Sequence, residues 1–302
     1  MAKLKDIGEF ALIERIRKST KTGRSVVEGI GDDAAVIKVA KNRYMLFTSD
    51  MLIEGVHFTL KTARPSQIGH KALGVNISDI AAMGGTPRYA VVSVGIPPDM
   101  DVKFADELYG GIQKLADRFS IDIVGGDTNA SDKVIVNVAL TGEVRREHLI
   151  LRKMAKPGDL IFVTGELGSS VKGKHLDFIP RLKEARYLTE NFHIRSMIDV
   201  SDSLAGDLMK ITSSSRAGSV IYEELIPVSD GASIENALYD GEDFELLFTV
   251  PGIEAKKLFL SLGSLKVRIT QIGEITSRQS GDIIVDKSGK KRPLEDKGFR
   301  HF

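Results

Sequence analysis

Apolar positions in the N-terminal half of the chain follow two different periods. Helical spacing predicts three helices, at Glu9–Lys18, from Ser66 to about Met83, and at Val102–Phe119. Alternating or continuous β-rich runs predict strands at 34–39, 44–48, 89–96, 121–124 and 134–144, the fourth of them short and buried. Asn76 and Asp79 are three residues apart, so they should share one face of the second helix.

Strand and helix patterns also alternate in the C-terminal half. The basic segment 149–158 ends in Pro157-Gly158, a turn signal, and separates two predicted domains, 1–148 and 149–302. A length of 302 residues suits two domains better than one. The expected elements are strands at 159–164, 219–222 and 244–250 and helices near 180–191, 204–213 and 231–239. The pattern predicts an α/β or α+β fold.

Composition excludes several classes of function. Basic and acidic residues balance, 42 against 41, so no nucleic-acid partner is predicted. The absence of cysteine excludes disulfides, thiolate catalysis, Fe–S clusters and cysteine zinc sites, and the six histidines form no HxxxH or HExxH pattern. No apolar run approaches the ~18 residues of a membrane span, and the start of the chain lacks an apolar signal core. We therefore expect a cytoplasmic protein that does not bind membranes.

Acidic residues recur at the ends of apolar runs or beside glycine. The segments are GDD at 31–33, TSD at 48–50, NISD at 76–79, GGD at 125–127, IDVSD at 198–202 and GED at 241–243. Each aspartate alone is more commonly a turn or cap residue, so the inference depends on the whole set. Carboxylates that converge repel one another unless a cation lies between them, and oxygen ligands favour Mg²⁺. Mg²⁺ held in this way usually also holds a nucleotide phosphate.

Two glycine motifs resemble nucleotide-binding loops but lack the required chemistry. Residues 29–34 satisfy G-x-G-x-x-A, yet two carboxylates occupy the place of a pyrophosphate and a strand is expected to follow instead of a helix. Residues 168–175 nearly match a P-loop, but His175 replaces the hydroxyl residue that binds Mg²⁺. We interpret the second motif as a flexible glycine loop, so any ATP would be bound without a Walker motif.

With these motifs in order, the chain resembles the thiamine-monophosphate kinases, which belong to the ATP-binding superfamily of aminoimidazole-ribonucleotide synthetase. The resemblance runs essentially from end to end. Its most specific segments are TSDMLIEGVHF at 48–58, VNISDIAAMG at 75–84 and the terminal GFRHF at 298–302. It implies transfer of the γ-phosphoryl group of ATP to thiamine monophosphate. It also implies a homodimer in which the N-terminal domains share a β-barrel, with ATP bound near their interface.

The resemblance also implies roles for individual residues. The implied Mg²⁺ ligands, for several ions, are Asp33, Thr48, Ser49, Asp50, Asp79, Asp127, Asp199 and Asp202. The implied ATP contacts are Tyr109, Gly126, Asp127, Arg152 and Ser201. The implied contacts to thiamine monophosphate are His57, Glu242 and Phe299. Asp32 is expected to be a turn residue or a partner of Asp33.

No catalytic base is expected, because the second pKa of a phosphate monoester is about 6 and the acceptor oxygen is already ionised at neutral pH. We hypothesise direct in-line transfer without a phosphoenzyme. Ser203 and Asp240 replace glycines that are usual in the family, and both lose easy access to positive φ. Two alternatives stay open: cyclisation of formylglycinamidine ribonucleotide, and a non-catalytic nucleotide sensor.

Overall fold

The computed structural model describes residues 3–261, 263 and 265–301. The N-terminal half forms a six-stranded sheet in the order β1-β2-β3-β6-β4-β5, in which only the β4–β5 pair is parallel. Its elements are α1 (Leu4–Ser19), β1 (Val26–Glu28), β2 (Ala35–Ala40), β3 (Arg43–Ile53), α2 (Pro65–Ala82), β4 (Thr86–Ile96), α3 (Val102–Phe119), β5 (Asp122–Ala130) and β6 (Ile135–Arg145).

The two faces of this sheet differ in how far other elements cover them. Along β3, Leu46 and Leu52 are buried against the helices, whereas the intervening Phe47 and Met51 lie exposed on the outer face. Most residues of α2 are buried, because this helix packs against both the sheet and α3. The helix α2 therefore lies in the core of the N-terminal half, next to the inner face of the sheet.

The C-terminal half forms a separate seven-stranded mixed sheet in the order β13-β12-β9-β11-β7-β10-β8. Its elements are β7 (Asp159–Thr164), α4 (Leu182–Asn191), β8 (Ser196–Asp199), α5 (Leu204–Ser215), β9 (Gly218–Tyr222), α6 (Ile234–Tyr239), β10 (Leu246–Pro251), α7 (Gly252–Ser261), β11 (Ile269–Thr276), β12 (Asp282–Val285) and β13 (Lys291–Pro293). The expected mixed α/β class is confirmed. The boundary after residue 148 stays a prediction, although it falls between the two sheets.

One strand is longer and more exposed than the sequence pattern predicted. The strand expected at 121–124 continues through Gly125-Gly126-Asp127 as β5, and it lies exposed at the edge of the sheet instead of being buried. An edge strand has one free side, so glycine and polar residues are tolerated there. Both sheets are open in the described part of this single chain. Among the described residues, no helix combines the length and apolarity needed to cross a bilayer.

Candidate active site

Three carboxylates from distant parts of the chain meet at the junction of the two halves. Asp33 precedes β2, Asp79 lies in the last turn of α2, and Asp199 ends β8. Each offers an oxygen, and these oxygens all lie within 4.8 Å of one another. The sequence prediction that dispersed acids converge is therefore realised for these three residues.

Neighbouring side chains hold these carboxylates in place. The Thr48 hydroxyl donates to Asp79 Oδ2 at 2.5 Å, and the Ser78 hydroxyl donates to Asp199 Oδ2 at 2.5 Å. The Arg152 guanidinium donates to Asp33 Oδ1. The second oxygens Asp33 Oδ2 and Asp199 Oδ1 are buried without a hydrogen-bond partner.

These unpartnered oxygens fit a bound cation. Burial raises the pKa of Asp79 and of Asp199 well above the usual range, and the neighbouring carboxylates raise both further. Burial also raises the pKa of Asp50, next to Asp79, to about 6. A buried set of oxygens in which ionisation is unfavourable becomes stable once a divalent cation neutralises it. The donor set is hard oxygen throughout, as Mg²⁺ prefers.

Arg152 and Asp32 form the wall behind Asp33. The Arg152 amide N–H donates to Asp32 Oδ2 at 3.2 Å, and the Asp33 amide N–H donates to Asp32 Oδ1 at 3.1 Å. Burial and the adjacent Asp33 raise the pKa of Asp32 to about 7. Asp32 is thus a partner of both Asp33 and Arg152, and the Arg152 guanidinium faces the acidic cluster. The contact of Arg152 with a nucleotide stays a prediction.

The loop after Asp199 is held by a residue that the sequence analysis did not single out. The buried Asp207 carboxylate accepts from the amides of Ser201, Asp202 and Ser203 at 3.0, 3.1 and 3.2 Å. It also accepts from Lys210 Nζ at 2.7 Å. The sequence pattern that could have indicated Asp207 is an acidic residue in the first turn of a helix that directly follows an acidic loop.

The two family glycines are replaced without backbone strain. Ser203 has φ 178°, an extended conformation open to any residue, and its hydroxyl caps α5 by accepting from the Gly206 amide at 2.9 Å. Asp240 has φ −70° and ends α6 in a helical conformation. Neither position needs the left-handed region that favours glycine. The only sequence support for a sensor without turnover is thereby weakened.

One cavity of about 500 Å³ brings acidic and substrate candidates together. The predicted site residues that line it are Asp50, His57, Asp79, Asp199, Ser201, Asp202, Glu242 and Phe299. Asp79 and Asp199 therefore share one space with the predicted contacts to the organic substrate. Asp33 does not line the cavity, but its carboxylate lies within the same acidic cluster.

An aromatic group forms part of this cavity. The His57 ring lies 6.4 Å from the Phe299 ring and 5.3 Å from the His301 ring. The Ile53 amide donates to His57 Nδ1 at 3.0 Å, and burial lowers the pKa of His57, so the ring is favoured in its neutral form. His301 was not singled out from the sequence, and Phe302, the last residue of the terminal motif, lies outside the described residues.

Glu242 lies on a strained turn at the cavity. Its φ is 54° and that of Phe244 is 50°, both in the left-handed region. Lys71 Nζ lies 2.5 Å from Glu242 Oε1, and His175 Nδ1 lies 2.8 Å from Glu242 Oε2. Burial by itself raises the pKa of Glu242, but the hydrogen bond with His175 and the charge of Lys71 outweigh it and lower that pKa. No local sequence pattern indicated a role for Lys71.

Four other candidates lie outside this group in the described chain. Ser49 lies on the exposed outer face of β3, and its hydroxyl donates to Asn137 at 3.2 Å. Asp127 and Gly126 lie on the exposed edge strand β5, where the Asp127 carboxylate accepts from the Thr128 amide at 2.9 Å. Tyr109 is partly exposed on α3. The roles of all four stay predictions.

The two glycine motifs behave as their chemistry indicated. Residues 29–34 lead into strand β2 and not into a helix. Residues 168–175 form short 3₁₀ turns, in which Lys174 Nζ lies 3.3 Å from the buried Glu245 carboxylate. The lysine expected to grip a phosphate in a P-loop is therefore directed to a protein carboxylate.

Comparison with known proteins places this fold in a class. The family model "AIR synthase related protein, N-terminal domain" matches residues 31–144, which contain the six-stranded sheet from β2 onward together with Asp33 and Asp79. A solved structure of AaThiL complexed with AMPPCP and TMP superposes with a TM-score of 0.86 at 30% identity, covering 100% of this chain and 99% of that one.

Curated relatives narrow the class to one family. The thiamine-monophosphate kinase of Bacillus subtilis (strain 168) is 36% identical over 97% of this chain and 99% of the relative. The thiamine-monophosphate kinase of Escherichia coli (strain K12) is 33% identical over 98% of each chain. The chain belongs to the thiamine-monophosphate kinase family.

Proposed function

We propose that this protein catalyses the ATP-dependent phosphorylation of thiamine monophosphate to thiamine diphosphate. The observation that carries the proposal is the single cavity that joins the acidic cluster to His57, Glu242 and Phe299. The relatives named thiamine-monophosphate kinase support the reaction, and the neighbouring structure with AMPPCP and TMP supports a site for both substrates.

Asp33, Asp79 and Asp199 would hold Mg²⁺, with Asp50 and Asp202 as further ligands lining the cavity. When bound, Mg²⁺ neutralises phosphate charge and lowers the repulsion between the two anionic substrates. The protein contributes fixed oxygens, because Thr48, Ser78 and Arg152 already restrain the three carboxylates. Such preorganisation avoids a reorganisation cost during the reaction.

The acceptor requires no base from the protein. Its phosphate oxygen is ionised at neutral pH, so the remaining task is to align it with the γ-phosphorus of ATP. His57 has Nδ1 occupied by the Ile53 amide, which suits a binding role more than proton transfer. Direct in-line transfer is the mechanism that this arrangement favours.

The organic part of the substrate needs a flat surface and a negative charge, because thiamine carries a cationic thiazolium ring. His57 and Phe299 supply aromatic faces and Glu242 supplies the carboxylate. Ser201 and Arg152 are proposed nucleotide contacts beside the cluster. Tyr109 on α3, together with Gly126 and Asp127 on β5, is proposed to contact the nucleotide at the edge of the N-terminal sheet.

We further propose a homodimer that pairs the outer faces of the N-terminal sheets, so that strands of both chains build a shared barrel. Phe47 and Tyr89 flank Thr141 in one row across the sheet, and Val91 lies in the next row, all on the exposed face. An apolar face of this kind is typical of a protein contact. The free edge of β5 supports the same arrangement.

A coupled ADP assay tests the reaction directly. Thiamine monophosphate should stimulate ADP formation in the presence of Mg²⁺, thiamine diphosphate should accumulate in equal amount, and EDTA should stop both. A parallel assay with thiamine determines whether the phosphate of the acceptor is needed.

Two outcomes would contradict the proposal. ATP binding without ADP formation in the presence of thiamine monophosphate would favour a nucleotide sensor. A phosphoprotein stable to acid or base after exposure to ATP would exclude direct transfer.

A further inference from the structure

We propose that Lys71 and His175 are positioning residues that fix the Glu242 carboxylate in the substrate cavity, and so determine affinity for the cationic ring of the substrate. The inference rests on the proposed function for the identity of that substrate. Neither residue lines the described cavity, so both would act through Glu242.

Lys71 is a buried cation directed at the cavity wall. Lys71 lies in the second turn of α2 and is 0% exposed. Nζ lies 2.5 Å from Glu242 Oε1, 2.8 Å from the His57 carbonyl oxygen and 2.8 Å from His175 Nδ1. A buried ion pair seldom adds net stability compared with an apolar pair of similar volume. A gain in stability is therefore a poor explanation for this lysine, and orientation of the Glu242 carboxylate is a better one.

His175 holds the other carboxylate oxygen. Its Nδ1 lies 2.8 Å from Glu242 Oε2 and 2.8 Å from Lys71 Nζ. It donates to Glu242 when the proton is on Nδ1, and it accepts from Lys71 in the other tautomer. The segment that carries His175 is itself tied to α2, since Gln67 donates to Asp177 at 2.5 Å and His70 Nε2 lies 2.7 Å from the Phe178 carbonyl oxygen. Each oxygen of Glu242 thus lies close to a nitrogen of a residue outside its own loop, Oε1 to Lys71 and Oε2 to His175.

The backbone of Glu242 is restrained as well. Its amide donates to the Ser201 carbonyl at 2.8 Å, and the Phe244 amide donates to the Val200 carbonyl at 2.9 Å. These bonds maintain left-handed conformations at both residues, which are unfavourable for side chains with a Cβ. Strain that is maintained by so many contacts indicates that the exact direction of this carboxylate matters for binding.

A double-mutant cycle tests the proposal. Lys71→Met should raise KM for thiamine monophosphate about tenfold in the wild-type background, because Glu242 loses its fixed orientation. In the Glu242→Gln background the same substitution should change this KM less than about twofold, because the carboxylate is already absent. KM for ATP should change less than about twofold in all four proteins. An equal factor in both backgrounds, or a parallel rise in KM for ATP, would overturn the proposal.

His175→Gln provides a second cycle with Glu242→Gln, and it decides the matter if Lys71→Met does not fold. His148→Gln is the matched control, because the His148 ring also contacts a backbone carbonyl, that of Thr189, but it neither lines the substrate cavity nor contacts Glu242. It should leave KM for thiamine monophosphate unchanged. A His175 effect that is independent of Glu242 would reject positioning by His175.

Calorimetric titration of thiamine monophosphate gives the same cycle without turnover. If the wild-type protein binds thiamine monophosphate but the effects of the substitutions on binding free energy are additive, the positioning roles are overturned and the proposed reaction is not. Wild-type binding and coupling without ADP formation supports positioning and rejects the proposed reaction. A wild-type protein that fails to bind thiamine monophosphate rejects both.

Discussion

Asp79 is the single residue on which the acidic cluster depends most. It accepts from Thr48, approaches Asp50 and contributes an oxygen next to Asp33 and Asp199. Asp79→Asn keeps an acceptor for Thr48 but removes a charge. Without divalent cations at pH 8 we expect the free energy of unfolding to rise by about 1 kcal/mol, because repulsion among buried carboxylates falls. The rise in melting temperature on addition of Mg²⁺ should be lost.

Thermal unfolding with Mg²⁺ and with EDTA measures both effects. Asp122→Asn, at an exposed position of β5, is the control and should retain the full response to Mg²⁺. A normal response to Mg²⁺ in Asp79→Asn would remove Asp79 from the proposed ligand set.

Asp243 should make stability depend on pH. Burial raises its pKa to about 7, and its carboxylate accepts from the Gly168 amide at 3.1 Å. A carboxyl whose pKa is higher in the folded state stabilises that state when protonated, so its contribution is complete below about pH 4 and is lost as the pH rises through about 7. Asp243→Asn should therefore gain stability relative to wild type, by about 2 to 3 kcal/mol between pH 5 and pH 8.

Urea unfolding at several pH values tests this expectation. Asp286→Asn is the control, because Asp286 is exposed and hydrogen bonds from Ser288 lower its pKa, so no gain is expected over the same range. A constant difference between Asp243→Asn and wild type would show that Asp243 ionises normally.

Individual site residues were predictable from sequence to different degrees. Asp33, Asp79 and Asp199 each lie beside a glycine or at the end of an apolar run. Such local motifs can be recognised without knowledge of the fold. Lys71 looks like any helical lysine in the sequence, because the groups that surround its Nζ, His175 and Glu242 among them, come from distant segments. Lys71 and Glu242 are 171 positions apart in the sequence, and a contact between such distant positions produces no local sequence pattern.

At the scale of elements, the packing of α2 on α3 depends on two glycines. A Cβ at Gly69 would collide with the Leu108 carbonyl oxygen, and a Cβ at Gly111 would collide with the Ser66 carbonyl oxygen. Gly111→Ala should therefore force the helices apart and lower the free energy of unfolding by about 2 kcal/mol or more. Chemical denaturation measures the change.

The adjacent Gly110 offers a matched control on the same helix. A Cβ at Gly110 meets no atom within 4 Å, so Gly110→Ala should raise the free energy of unfolding by up to about 1 kcal/mol through helix propensity. Equal effects of the two substitutions would mean that close packing of α2 on α3 does not limit stability.

Element prediction from sequence succeeded where the periodicity was long and failed where pairing decided the outcome. The helices α2 and α3 agree closely with the expected ranges, since their apolar pattern extends over many turns. β5 was predicted too short, because glycines and Asp127 are poor strand formers and only pairing with β4 extends them. Strands β11 to β13 escaped prediction altogether.

At the scale of the whole molecule, the site belongs to neither half alone. Asp33 and Asp79 come from the N-terminal half, Asp199 comes from the C-terminal half, and the Ser78–Asp199 hydrogen bond joins them. The motif order along the entire chain therefore indicated the family better than any one motif. Geometry between the halves was not accessible from the sequence, because it depends on packing between distant segments.

The proposed dimer makes a prediction for the intact protein. Phe47→Glu places a charge on the exposed outer face of β3, in the row that also contains Tyr89. If the N-terminal sheets pair through this face, the buried charges would repel and lack partners, so light scattering after gel filtration should give the monomer mass. Leu260→Glu, at a residue of α7 that is 90% exposed, is the matched control and should remain dimeric. A dimer that persists in Phe47→Glu, or a wild-type protein of monomer mass, would contradict pairing through the outer face.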